Sequence, residues 1–186
     1  MWNLLGPSDE EILHLAAMGE EVRRGWLFTH QPANPDDRFY WWDTLMEVSL
    51  ARVRSSAPLT PTQREYSLLA AQATKEAIEL QVIPPWKGYM RLAFLVSEYG
   101  RHPGSDVQEV LHPDKVAANT LRLIGKPYEE IVEAAESWPS RPIDEIAELR
   151  MVKNIVHVLG VIAPHVLDPG LRKAISRWLD ACEKLP

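Results

Sequence analysis

The chain reads as an all-α protein, a compact bundle of about seven to nine helices with short Pro/Gly connections. Three observations predict this. Apolar residues recur with a period near 3.6, and period-2 alternation is almost absent. Helix-start signals of the capping-box kind precede apolar runs. Fifteen prolines punctuate the chain. Several of them follow a capping or turn residue directly ahead of a helical pattern, as in Thr60-Pro61, Lys126-Pro127, Arg141-Pro142 and Asp168-Pro169. Proline suits the first helical position because the N–H it lacks has no partner there.

Ser8-Asp9-Glu10-Glu11 is a capping box and opens a helix over 8–24, stopped by Gly25. The next helix, over 35–55, carries Phe39-Tyr40-Trp41-Trp42. Each helical residue turns the side chain by about 100°, so four consecutive aromatics cannot share one face. On the wheel, Phe39, Trp41, Trp42, Leu45, Met46, Val48, Leu50 and Val53 span an arc roughly 200° wide, broader than one packing stripe. Phe39 and Trp42 are expected in the core, Trp41 against a second neighbour or a partner, and Tyr40 in solvent.

Thr60-Pro61-Thr62-Gln63 is a second capping box and starts a helix over 61–82. Pro84-Pro85 separates it from a helix over 86–99. The segment 101–105 is the candidate seam should the chain divide; otherwise 1–186 forms one domain. Shorter helices are predicted over 106–111, 114–124 and 127–137. A long one over 142–163 places Leu149, Val152, Ile155, Val156, Leu159 and Ile162 on a core arc, with Met151 and Val158 at its flank. Its opposite face carries Arg150, Lys153, Asn154 and His157. The last helix, over 169–184, sets Cys182 beside Leu171, Ile175, Trp178 and Leu179, which makes it a core thiol.

Hydrophobic residues make up 46% and charged residues 25%, as in ordinary globular proteins. No apolar run reaches the ~18 residues of a membrane span, and no signal-peptide pattern stands at the start. A single cysteine excludes an internal disulfide, a zinc finger and an iron–sulfur cluster. A cytoplasmic location is expected. A net charge of −6 disfavours nonspecific binding to nucleic acid.

Signals for chemistry are sparse. Glu11/His14 and Glu109/His112 repeat the Glu-x-x-His spacing that di-iron bundles use. However, Glu11 already serves the capping box, and Pro113 interrupts the second pair's helix, so these four residues are only a weak metal alternative. No cofactor is expected. Gly-x-Ser-x-Gly, Walker A and Gly-x-Gly-x-x-Gly motifs are absent. The stretch Leu59-Thr60-Pro61-Thr62-Gln63-Arg64-Glu65, with Leu68-Leu69-Ala70-Ala71-Gln72 and Lys75-Glu76-Ala77-Ile78, resembles the opening of a LuxR-type helix-turn-helix over about 20 residues. The resemblance implies a DNA-reading helix downstream. In its place stand Ala73, where the family's turn carries glycine, and Val82-Ile83-Pro84-Pro85-Trp86, with Lys87 and Arg91 as the only following cations.

These features point to a non-enzymatic helical interaction, regulatory or assembly protein that self-associates. It would use an aromatic-rich surface, drawing on seven tryptophans, and complementary charged helix faces. Candidate partner-binding residues are Tyr40 and Trp41, the basic face of Arg150, Lys153 and His157, and the acidic face that includes Glu129 and Glu133. The expected partner is a protein or a second copy. The alternative is a bundle enzyme or a binder of a small apolar ligand or metal, with Arg38, Tyr40, Asp43, His102 and His157 as its polar groups. A nucleic-acid-associated regulator is the third reading.

Overall fold

The computed structural model describes residues 6–54, 61–99 and 112–185. Nine α-helices and no strand are found among them. The expected helix over 106–111, the seam at 101–105, the Thr60 capping box, Trp2, His102 and Glu109 lie outside the described residues.

Helix α1 (Asp9–Ala17) starts as predicted: the Glu11 N–H donates to Ser8 Oγ at 3.2 Å, and the Ser8 N–H donates back to Glu11 Oε2 at 2.7 Å. These bonds, the Ser8 backbone N–H first, hold the Glu11 carboxyl below the usual carboxylate range. The single helix expected over 8–24 is in fact two. Met18 and Gly19 are extended, and α2 runs from Glu20 to His30 (Glu20–His30), straight through the Gly25 predicted to stop it. The break has a tertiary cause. Arg23 reaches back over the end of α1 and donates to the carbonyls of Leu15 (2.8 Å), Ala16 (3.1 Å) and Met18 (2.6 Å). Those are the carbonyls that a helix terminus leaves without partners.

Helix α3 (Pro35–Arg54) begins where proline predicts, with Asn34 Oδ1 accepting the Asp36 N–H at 2.9 Å. Helix α4 (Pro61–Glu79) ends short of the predicted residue 82. Gln81 adopts the left-handed conformation (φ 55°), the Val82 N–H reaches Ala77 O, and the Gln81 N–H reaches Ile78 O. This is the Schellman arrangement normally marked by glycine. Helix α4 also passes through Ala73 without a turn, so the helix-turn-helix resemblance ends there.

Helix α5 (Pro85–Tyr99) approaches α4 so closely that a Cβ on Gly88 would collide with the Ile78 side chain. Helices α6 (Pro113–Arg122), α7 (Tyr128–Ser137), α8 (Ile143–Ile162) and α9 (Pro169–Cys182) follow. Pro169 stands at the first position of α9, with Asp168 accepting the Leu171 N–H. By contrast, Pro127 and Pro142 are extended caps, one residue ahead of the predicted place.

Helix α4 is the hub. It packs along α3 and against α1 and α5; α5 passes the contact to α6 and α8, and α9 covers α6, α7 and α8. Its small residues allow this. Leu69, Ala73 and Ala77 join one apolar cluster with α1 and α3, whereas Ala70 and Ala71 join a second, built mainly from α5 to α9. Helix α8 supplies seven buried apolar side chains to that second cluster, each worth roughly 1.5–3 kcal/mol of burial. Val158 is among them; Met151, one heptad earlier on the same flank of the predicted arc, is exposed.

Candidate interaction surface

The aromatic run divides nearly as the wheel predicts. Trp42 is fully buried, and its indole N–H donates to Gln31 Oε1 at 3.0 Å. Phe39 is half-buried, and Tyr40 is 46% exposed. Trp41 meets a second neighbour: it stacks on Trp26 of α2 (6.4 Å between centroids) and stands edge-on to Trp42. At 6% exposure it presents no surface to a partner, which corrects its place among the partner-binding candidates. None of the described tryptophans is exposed; Trp26, Trp86, Trp138 and Trp178 pack half-buried against the clusters. The expected aromatic-rich surface shrinks to Tyr40 and Phe28.

The charged faces stay in solvent. Glu129 and Glu133 on α7, and Arg150 and His157 on α8, are exposed and make no ion pair among the described residues. Lys153 is half-buried and donates to Leu185 O at 2.6 Å, so it leaves the basic strip. Lys153 and His157 do come together, lining an open groove of about 510 Å³ between α8 and α9. The acidic residues that share it are Asp180 of α9 and Glu183 just beyond it, not the α7 glutamates.

Among the described residues, the groups named for an enzyme site are not assembled. Arg38 donates to Pro32 O and Ala33 O (both 3.0 Å) and so fixes the turn before α3. Asp43 pairs with Lys87 (2.9 Å) and Arg91 (2.7 Å), and Arg91 also reaches Glu47 at 2.6 Å. Lys87 and Arg91, the cations that directly follow the helix-turn-helix resemblance, therefore hold α5 to α3. His157 sits far along the chain on α8, which does not pack extensively on α3. For the metal alternative, Glu11 is a cap residue, His14 is exposed and His112 caps α6. Among the described residues, no three His, Cys, Asp or Glu side chains are grouped to hold a metal ion. No helix among them is long and apolar enough to cross a membrane.

Cys182 is buried as predicted. Burial pushes its thiol from an ordinary value near 9.0 up to about 11, against the pull of the Lys153 charge. The fold thus holds this proton more tightly than the unfolded chain does. The resulting stability is complete below about pH 9 and is lost as the pH rises toward about 11. Iodoacetamide at pH 8 is expected to label the native chain at least ~10-fold more slowly than the unfolded chain. Equal rates would place the thiol at the surface.

Two features escape sequence reasoning. A cleft of about 330 Å³ lies where α4, α5 and α6 meet, with Ile78, Leu92 and Val116 as its apolar lining. Lys75, Lys115 and the buried, unpartnered Nδ1 of His112 border it, with Glu20 and Glu79 opposing the lysine charges. The second feature is α2. Among the described elements it has no extensive packing partner, and it is anchored by Arg23, Leu27 and Trp26, with Arg24 paired to Glu76 at 2.6 Å. Its outward side carries Val22, 65% exposed, and Phe28, 47% exposed, three residues either side of exposed Gly25. The signal was present: Arg23 and Leu27 stand four apart, as do Val22 and Trp26, so helical spacing continues past Gly25. No known protein family, curated protein or solved structure matches this chain.

Proposed function

We propose that this chain is a non-enzymatic helical protein that acts by binding other proteins, itself included, through faces its own fold leaves uncovered. The outward row on α2 carries this reading. Single exposed apolar residues are ordinary on protein surfaces. A valine and a phenylalanine flanking a bare glycine on the outward side of one helix form a row instead. The polar side chains buried in the interior support the same reading, because they hold helices together: Arg23 and Gln72 tie α1 and α2 to α4, and Arg91 ties α5 to α3. Exposed Glu129, Glu133, Arg150, His157 and Tyr40 would steer association from the rim, where charge affects encounter and register more than affinity.

A second reading rests on the cleft between α4, α5 and α6, which joins an apolar patch to Lys75, Lys115 and a His112 Nδ1 that has no partner among the described residues. Native mass spectrometry of the chain purified gently from its own host separates the two. The interaction reading expects a second copy or another protein at fixed stoichiometry. A monomer carrying one small molecule would replace it with the ligand reading.

A further inference from the structure

Resting on that reading, we infer that the partner for α2 is α2 of a second copy, crossing antiparallel about Gly25. A glycine inside a helix is among the least favourable helix residues. Here the chain's own fold does not require it: a Cβ on Gly25 would meet nothing within 4 Å, and no positive φ calls for glycine. In steps of about 100°, Gly25 lies opposite the face held by Arg23 and Leu27, so it is the outermost point of the helix.

The neighbours of Gly25 are arranged symmetrically. Val22 and Phe28 lie three residues before and after it, and Glu21 and Thr29 lie four before and after; all four are exposed. A twofold axis through Gly25 therefore sets Val22 of each copy against Phe28 of the other, the self-complementarity an isologous contact needs. The missing Cβ lets the two backbones approach closely. Charge selects the direction. A parallel pair would bring the two exposed Glu21 side chains and the positive ends of both helix dipoles together, whereas the antiparallel pair sets the N-terminal end of each helix beside the C-terminal end of the other. Eleven residues make a helix roughly 16 Å long, so the contact falls in the small class below about 1,200 Å² and the dimer is weak and reversible.

The acidic strip with Glu129 and Glu133 and the basic strip with Arg150 would instead form a heterologous contact, which need not close.

Sedimentation velocity over a wide concentration range, with melting curves at low concentration, tests the inference on wild type, Gly25→Leu and Phe28→Glu. Wild type is expected to form dimers reversibly. Gly25→Leu is expected to dimerise at least ~10-fold more weakly while melting no lower than wild type, because the fold has room for the side chain. Phe28→Glu should be monomeric and folded. A wild-type dimer unaffected by either substitution would overturn the α2 contact and leave the interaction reading standing. A wild-type monomer at every concentration would overturn the self-contact. A protein companion in native mass spectra would still uphold the broader reading, and a bare monomer there would end both.

Discussion

Arg23→Ala is expected to melt about 10 °C below wild type, a loss of about 3–5 kcal/mol. Few side chains in the fold carry so many buried bonds. Arg23 is 4% exposed and donates to three carbonyls at the end of α1 and to Gln72 Oε1 of α4 at 2.9 Å. Truncation would strand the Ala16 and Met18 carbonyls and Gln72 Oε1, while Leu15 O keeps the Met18 N–H, and an unsatisfied buried group costs more than the average bond contributes. Burial lowers the pKa of Arg23, with the Glu20 and Glu65 charges acting against it. Lysine should not rescue the site, because one ammonium cannot reproduce the planar fork that spans carbonyls and amide together. Thermal unfolding of Arg23→Ala and Arg23→Lys checks this, and a loss under about 1 kcal/mol would mean the clamp is incidental.

Trp42→Ala is expected to cost a similar ~3–5 kcal/mol, through lost packing and the cavity left behind. Trp42 is fully buried between α3 and its neighbours, and its indole N–H bonds the Gln31 side chain at the end of α2. Trp42→Phe separates the parts: it keeps most of the packing and gives up the hydrogen bond, so it should recover more than half of the loss. Chemical denaturation measures both variants. If phenylalanine is no better than alanine, the hydrogen bond rather than packing dominates. Trp41→Ala provides the contrast, because its ring is held between Trp26 and Trp42. It should lower the melting temperature and leave association unchanged.

The helices were legible because nearly all of them bury a stripe, and a stripe leaves a 3.6-residue period in the chain. Where prediction and structure part, a tertiary contact or an atypical residue is responsible. Nothing local marks Met18 and Gly19 as a break stronger than Gly25; the Arg23 side chain fixes the break from four residues away. Gln81 ends α4 in a conformation where glycine is usual, so no glycine announces it. Gly25 looks like a stop but is a mid-helix residue, and ending the helix there hides Val22 and Phe28 as one row. A helical wheel shows that Trp41 needs a second neighbour but not which one, since that depends on where α2 folds back. The i,i+4 pairs Asp43/Glu47 and Lys87/Arg91 are each visible in sequence, while their union across α3 and α5 is not.

Disulfide trapping tests the α2 contact most directly, and buried, high-pKa Cys182 is inert enough to leave in place. Val22→Cys and Phe28→Cys chains are oxidised gently, each alone and then mixed. An antiparallel crossing at Gly25 sets residue 22 of one copy beside residue 28 of the other, within disulfide reach of about 4.4–6.8 Å between Cα atoms. The mixture is predicted to yield a linked heterodimer and each variant alone almost none. No linkage in the mixture, or equal linkage in the single variants, would contradict the account.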